Sequence, residues 1–554
     1  MTDFGFAQVM QKHALRVSTA LFFLAMYFLA VDNGSVAARF LGLGVRAGEV
    51  ISWSEWITKR SAFVVLHGLA TLVFFSLALT RNRVVATLGL AVLFVGTLFD
   101  LIYFHASERY ATIGEVATLM EAFGETGGAL REYHRAVFFG GLATAALFFP
   151  LLLLRRSVGS GAGPQLGVVA AGSTAVLAAA YVALAVMKGQ AGLTGFPRGF
   201  SALFATCLIS TVSTEPVNTG RIHLVEQPVT NVFDKIIVIM DESVTGQEFR
   251  GQFPAASKGN IYVHPGKVFS GANISAASNY FFRKSGLVRG APTPVSSLFE
   301  LAQASGYETH YIDNQGVLSD PGAKNYMDAK ELAFVKHIHA NRSPAKFDRD
   351  RIAFEQIRTI LGRPGKAFVY LNKHGAHVPY AESIPEDKRT GSRLEDYKAA
   401  VRLNSVELLV ALAGDLAENA IVIYTSDHGQ NDGTGPTHGN SGEAASVAEW
   451  DVPLALLASN ARFLDEVTGS PFVRSSYISH FDIAELTRNL LGYKLRDMAS
   501  VFAAASPERL ETRYCARFGP PYSILADAGD EASCRQIVLA PEANDSSRIL
   551  AQQR

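Results

Sequence analysis

Ala420-Ile-Val-Ile-Tyr-Thr-Ser-Asp-His-Gly429 decides the fold. Six strand-forming residues end abruptly in a polar tetrapeptide, and an apolar run that short, bounded by turn residues, reads as a strand buried on both faces. The same design recurs in Lys235-Ile-Ile-Val-Ile-Met240, followed by Asp241-Glu242-Ser243. It recurs again in Ala367-Phe-Val-Tyr-Leu371, followed by Asn372-Lys373-His374-Gly375-Ala376-His377-Val378-Pro379. Shorter runs lie at His310-Tyr-Ile312 and Pro453-Leu-Ala-Leu-Leu457, and helical patterns over 294–305, 350–361 and 396–418 separate them. Strands alternating with helices predict an α/β domain with a mainly parallel central sheet. In such sheets reactive groups collect beyond the carboxyl ends of the strands, where the polar residues of this chain stand.

Toward the amino terminus the composition changes. The chain has 554 residues, 49% of them hydrophobic and 18% charged, with a mean hydropathy of +0.17. These values exclude a disordered or nucleic-acid-binding chain. Five apolar runs, 17–34, 62–79, 84–104, 136–154 and 166–187, are each long enough to cross a hydrocarbon core about 30 Å thick. Lys12 and Arg16, Arg81 and Arg83, and Arg155 and Arg156 flank them on one face, which the positive-inside bias makes cytoplasmic. No small-x-small cleavage site follows the first run at Ala30-Val31-Asp32-Asn33, so it reads as an uncleaved anchor.

The expected organisation is a five-helix transmembrane domain over 1–188, a connecting segment with an interfacial helix over 189–232, and an exported catalytic domain over 233–554. Charge divides accordingly. Residues 1–188 carry 14 Lys plus Arg against 10 Asp plus Glu, so the remaining 36 and 40 leave the exported part slightly acidic. Asp32 and Asp100, in or beside spans, are expected at the interface or facing the bundle. The outer loop 105–135, with Glu108, Glu115, Glu121, Glu125 and Glu132, reads as an amphipathic interfacial stretch. Three cysteines exclude a disulfide-dense scaffold; Cys515 and Cys534 fall in the exported tail, and spacing leaves their pairing open.

Carboxylates and imidazoles at several strand ends make a donor set suited to zinc. Ser275 and Ser278 stand at the entrance of a short helix, where free backbone N–H groups favour an alkoxide or a phosphate oxygen. Arg283 and Lys284, two turns on, read as a solvated helix end or as phosphate contacts.

At these residues the chain resembles the alkaline phosphatase and sulfatase superfamily, and within it the membrane-anchored phosphoethanolamine transferases that modify lipid A. The resemblance covers nearly the whole chain. It implies that Glu242 is a zinc ligand, in a position where the family has Gly-Glu-Thr, and that Asp427 and His428 of Ser426-Asp-His-Gly429 are further ligands. It makes Ser275, three residues before Ser278, the nucleophile and a metal-facing group. His377 and His438 become the phosphate-binding and proton-handling histidines. Three departures are visible: a serine nucleophile for the family's threonine, no cysteine bridge flanking it, and Gln430 where Glu usually follows Asp-His-Gly. The outer-loop pattern of Asn, Thr and Glu is only approximated by Thr118, Ala122 and Glu125 or Thr126.

The activity implied is a zinc-dependent transfer of phosphoethanolamine from a phospholipid donor, phosphatidylethanolamine, to an envelope glycolipid such as lipid A or a core sugar. It would pass through a phosphoserine-type intermediate at the periplasmic face of a bacterial inner membrane. Membrane lipids are the implied partners, and nucleic acid is not one. A phosphoglycerol transferase or another phosphodiester hydrolase of the superfamily is the near alternative, and a catalytically silent envelope-binding protein the distant one. A sulfatase is disfavoured, because Ser275-Ala-Ala-Ser-Asn279 lacks the Pro and Arg needed for formylglycine formation.

Overall fold

The computed structural model describes residues 3–27, 53–107, 133–158, 165–188, 196–211, 224–226, 233–253, 260–288, 291–316, 329–431, 437–439, 446–459, 477–495, 513–515 and 534–536, with a few isolated positions between them. The chain divides near residue 213 into two compact units.

The first unit is helical: α1 (Asp3–Met26), α2 (Trp53–Leu79), α3 (Arg83–Ser107), α4 (His134–Val158), α5 (Gln165–Lys188) and α6 (Ser201–Thr211). Among the described residues, four segments, Ser61–Leu79, Arg83–Ser107, His134–Arg156 and Gln165–Ala185, are long and apolar enough to cross a membrane. The described apolar part of α1 is the shorter Arg16–Met26. Val64, Val84, Leu88, Phe138 and Val168 remain outward and exposed, as lipid-facing side chains must. Arg155 donates to the carbonyls of Ala78 and Thr80 at 3.2 and 3.3 Å, tying the end of α4 to the end of α2. Asp100 faces the bundle: it is buried and accepts the Gly199 backbone N–H at 2.8 Å. Asp32 and most of the acidic outer loop lie outside the described residues. Cys207 is exposed; Cys515 and Cys534 are register partners of two short antiparallel strands, and their side chains lie outside the described residues.

The second unit is built on a seven-stranded sheet. Its strands are β1 (Lys235–Asp241), β2 (Ile261–Val263), β3 (Glu308–Asp313), β4 (His337–Ala340), β5 (Ala367–Asn372), β6 (Ala420–Ser426) and β7 (Leu454–Ala458). They run in the order β2-β7-β6-β1-β5-β3-β4. The five from β6 to β4 are parallel; at the other edge β7 runs antiparallel to them and β2 pairs antiparallel with β7. The sheet therefore bears out the parallel α/β expectation, with each predicted run present as a strand.

Alternation along β1 explains the two-sided core. Ile236, Val238 and Met240 pack into one cluster with Phe282, Phe299 and Ile483, whereas Ile237 and Ile239 enter the opposite one with Phe354, Ile357 and Leu409. Successive side chains point to opposite faces, so only a continuously apolar strand fills both layers. Each such side chain contributes about 1.5–3 kcal/mol on burial. Helices α7 (Ser275–Lys284) and α9 (His480–Leu490) cover the first face and α8 (Lys346–Leu361) the second.

One expected helix, 396–418, is interrupted. Arg393–Ala400 and Glu407–Gly414 are α-helical, but Val401–Val406 between them is a π-helix. The wider turn frees a carbonyl and turns a hydroxyl inward, and both are used: Lys373 Nζ donates to Asn404 O at 2.8 Å, and Ser405 Oγ to Asp241 Oδ2 at 2.6 Å. Lys373 Nζ also lies 2.5 Å from Asp241 Oδ2 and 3.7 Å from Asp350 Oδ2, with all three side chains buried. Asp350 in turn accepts the N–H groups of His374 and Gly375, each at 2.9 Å.

Removing the cation from this buried cluster leaves two carboxylates uncompensated, a change that costs about 3–5 kcal/mol. Lys373→Met should accordingly lower the thermal midpoint of the full chain in detergent by several degrees. An unchanged midpoint would show that the ion cluster is not what holds the ends of β1 and β5.

Candidate active site

Parallel register brings three chain segments to one place. At the carboxyl ends Ser426 is paired with Asp241, and Met240 with Asn372, so the residues that follow converge above the central strand. Glu242 and Asp427 are the first residues past β1 and β6, and both are buried. Ser243 adopts φ of +63°, a strained conformation for a non-glycine residue. It directs its N–H to Asp427 Oδ1 at 3.1 Å and its hydroxyl to Glu242 Oε1 at 2.8 Å. Gly375, at φ +59°, runs so close beneath that a Cβ would meet the Glu242 backbone within 2.7–2.8 Å, and only glycine fits.

Ser275 is the first residue of α7. Ile274 caps that helix without a side-chain hydrogen bond, so first-turn N–H groups remain for an anion. Ser275 Oγ lies 3.3 and 3.2 Å from Glu242 Oε1 and Oε2 and 3.2 Å from His428 Nε2. Packing fixes this placement. Asn279 donates to the Ser275 carbonyl at 3.0 Å while accepting from Tyr370 at 2.8 Å and Arg283 at 3.2 Å. His480 bridges Ser278 Oγ on α7, 3.2 Å from its Nδ1, and Thr425 Oγ1 on β6, 3.1 Å from its Nε2. The loop before α7 is held by Asn273, whose carbonyl accepts Gly439 N–H at 3.0 Å and whose amide donates to Glu449 at 2.8 Å.

Glu242, Asp427 and His428 each offer one ligand atom, all within 4.8 Å of one another. His428 Nδ1 is engaged by the Gly429 carbonyl at 2.8 Å, which leaves Nε2, 3.3 Å from Glu242 Oε1, aimed into the cluster. Burial opposes ionisation of Glu242, yet the hydrogen bond and charge of His428 hold it well below the usual carboxylate range. Burial and the Glu242 charge push Asp427 well up. Burial also opposes protonation of His428, but the Asp427 and Glu242 carboxylates overcome it and hold its pKa up at about 9. Asp427 Oδ2 is buried and has no hydrogen bond among the described residues, its ion-pair contact being His428 Nε2 at 3.8 Å. An orphaned carboxylate oxygen beside a second acid and an imidazole nitrogen is a donor set that a divalent cation satisfies.

The other predicted residues divide. His438 joins the cluster, its ring stacked on His428 at 4.0 Å between centroids, and burial holds it neutral. His377 is near enough for its charge to act on both Glu242 and His438, while its Nδ1 meets the Val378 carbonyl. Arg283 and Lys284 correct the sequence reading, since neither forms a solvated helix end. Arg283 is buried, paired with Glu331 at 2.9 Å and laid over the Tyr370 ring at 5.1 Å; Lys284 is buried over Tyr280. Gln430, in the place of the family's Glu, is buried with neither amide atom hydrogen-bonded. Thr118, Ala122, Glu125 and Thr126 lie outside the described residues.

Sequence reasoning missed Gln315 and His374. Gln315 follows the carboxyl end of β3 and donates to Glu242 Oε2 at 2.6 Å and to the Lys373 carbonyl at 2.8 Å. His374 is buried, and burial holds its pKa well below the ordinary value. Both obey the strand-end rule, and that position was the available signal.

Residues 268–493 match the Sulfatase family. No curated protein sequence matches the chain. Among solved structures, the integral membrane lipooligosaccharide phosphoethanolamine transferase A from Neisseria meningitidis is similar at a TM-score of 0.56 and 15% identity, over 86% of this chain and 96% of that one. The periplasmic domain of EptC from Escherichia coli, in complex with Zn, is similar at a TM-score of 0.42 and 17% identity, over 58% of this chain and 99% of that one. The Neisseria match extends over both the helical part and the α/β part, so the fold is shared over 86% of this chain.

His480 provides a pH test of how α7 is held. Burial lowers its pKa to about 3, against 6.5 for the free imidazole. Between these values the unfolded chain binds a proton that the folded chain does not, so stability rises with pH, by up to about 1.4 kcal/mol per unit from this group. Stability should fall as pH drops below 6.5, and His480→Gln should flatten that slope in thermal unfolding. An equal slope in the variant would place the titration elsewhere.

Proposed function

We propose that this chain, whose residues 268–493 carry a sulfatase-family domain behind membrane-length helices, is a zinc-dependent phosphoethanolamine transferase of a bacterial inner membrane. The reading has five spans and a periplasmic catalytic domain, with phosphatidylethanolamine as donor and an envelope glycolipid as acceptor. The observation that carries it is Ser275 Oγ at an uncapped helix start, 3.2 Å from both Glu242 Oε2 and His428 Nε2 and next to the orphaned Asp427 oxygen. A membrane tether suits two lipid substrates, because it raises their effective concentration at the site.

Glu242, Asp427 and His428 are the residues that would hold zinc. The ion, when bound, supplies Lewis acidity that lowers the pKa of a hydroxyl and polarises a phosphoryl oxygen. Ser275 Oγ gives up its proton and attacks phosphorus, forming a new P–O bond. The bond from phosphorus to the diacylglycerol oxygen breaks, and that oxygen leaves with the electron pair and takes a proton. The head group then rests on Ser275 as a phosphodiester. An acceptor oxygen on the glycolipid gives up its proton and attacks the same phosphorus; the bond from phosphorus to Ser275 Oγ breaks, and Oγ leaves with the electron pair and takes a proton, restoring the serine. In this reading His438, stacked beside His428, and the partly buried His377 bind phosphate oxygens and carry these protons. The first-turn N–H groups of α7 favour the charge that builds on phosphorus-bound oxygen.

Wild type incubated with fluorescent phosphatidylethanolamine should release diacylglycerol and gain a phosphoethanolamine adduct on Ser275 by mass spectrometry. Ser275→Ala should form no adduct and lose roughly a thousandfold or more in turnover. Diacylglycerol release without an adduct would reject the covalent route, and inertness toward this lipid alongside turnover of phosphatidylglycerol would replace the donor. Glu242→Ala should lose one equivalent of zinc together with activity; unchanged metal content and turnover would overturn the ligand assignment.

A further inference from the structure

At the far edge of the sheet, β3 contributes Glu308-Thr-His310 and β4 contributes His337-Ile-His339. Residues two apart in a strand share a face, and the parallel register pairs His310 with His337. Four ligand-type side chains thus meet on one face. Glu308 Oε1 lies 2.8 Å from His337 Nε2 and 3.4 Å from His310 Nε2, and the His310 and His337 rings stack at 4.6 Å. His339 Nε2 lies 3.3 Å from the other nitrogen of His310, Nδ1.

We propose that Glu308, His310 and His337 bind a first-row transition-metal ion, with zinc the expected occupant, and that His339 positions His310 for it. Donor atoms bonded tetrahedrally at about 2.0–2.1 Å stand about 3.3 Å apart, and the two measured separations from Glu308 Oε1 bracket that value. With the Nδ1 hydrogen of His310 shared with His339, Nε2 presents its lone pair toward Glu308 and His337, the arrangement that a metal-ligating imidazole normally has.

Charge around the cluster selects the kind of metal. Lys336 occupies Glu308 Oε2 at 2.7 Å, and the Arg363 charge acts on His310 and His339. A single carboxylate oxygen among neutral imidazoles and two cations does not suit calcium or magnesium, which take oxygen donors. Imidazole-rich sites hold zinc, copper or nickel. Glu308 opens β3 whereas the catalytic groups follow its carboxyl end, about 16 Å away along the strand, so the site is separate from the Ser275 cluster. It would staple the four-residue edge strand β4 to β3, its neighbour in the sheet.

The full chain in detergent, stripped with a chelator, reloaded with zinc and desalted, tests this by metal content per chain. Wild type should hold one ion more than either His337→Ala or Glu308→Gln, and both variants should keep wild-type turnover, since neither residue belongs to the catalytic cluster. Zinc should raise the thermal midpoint of stripped wild type more than that of either variant, and His339→Leu should weaken binding at this site about 10- to 100-fold. Equal zinc content in wild type and either folded variant would overturn the site, as would displacement of this ion by millimolar magnesium.

Discussion

Lys373 between Asp241 and Asp350 is the interaction on which the active centre depends. The last residue of the central strand is a buried carboxylate; Glu242, next in the chain, and Asp427, brought beside it by the pairing of β6 with β1, add two more buried acids. Taking such charges out of water costs several kcal/mol each unless they are paired and hydrogen-bonded. Lys373 supplies the countercharge, and Asp241 Oδ2 also accepts from Tyr424 and Ser405, each at 2.6 Å. Because Lys373 follows β5, Asp241 ends β1 and Ser405 comes from the π-helical turn, this one cluster locks three elements into the register that delivers Glu242.

Above it lies the opposite electrostatic situation. Glu242 meets the His428 imidazole and the Ser275 hydroxyl, while Asp427 Oδ2 has no hydrogen bond among the described residues and lies 3.8 Å from His428 Nε2. The lower cluster is closed by a protein cation, whereas the upper one brings together a carboxylate oxygen without a hydrogen bond among the described residues, a second acid and an imidazole, a donor set suited to a divalent ion. Two layers of acids thus stand at one strand end, one satisfied internally by Lys373 and one not.

Much of this was legible in the chain because parallel strands buried on both faces must be continuously apolar, and β1, β5 and β6 each end abruptly in polar residues. Glu242, Ser275, Asp427 and His428 converge as their strand-end or helix-start positions suggested, and His438 lies with them, as the family resemblance implied. Arg283 misled for a physical reason: a basic residue at the end of a short helix resembles a solvated cap, and its partner Glu331 lies 48 residues away in sequence. Gln315 was hidden similarly, since nothing near it in the chain shows that β3 lies beside β5 and one strand away from β1.

By itself, then, the sequence determined the membrane-length helices, the parallel α/β class and the residues at the reactive strand ends, because hydrophobic period and turn chemistry are local properties. Only the tertiary structure decided which of those ends are neighbours, that a π-helical turn reaches Lys373, and that Glu308, His310 and His337 meet. Those outcomes depend on strand order and register between segments tens to hundreds of residues apart, for which a single chain carries no local signal.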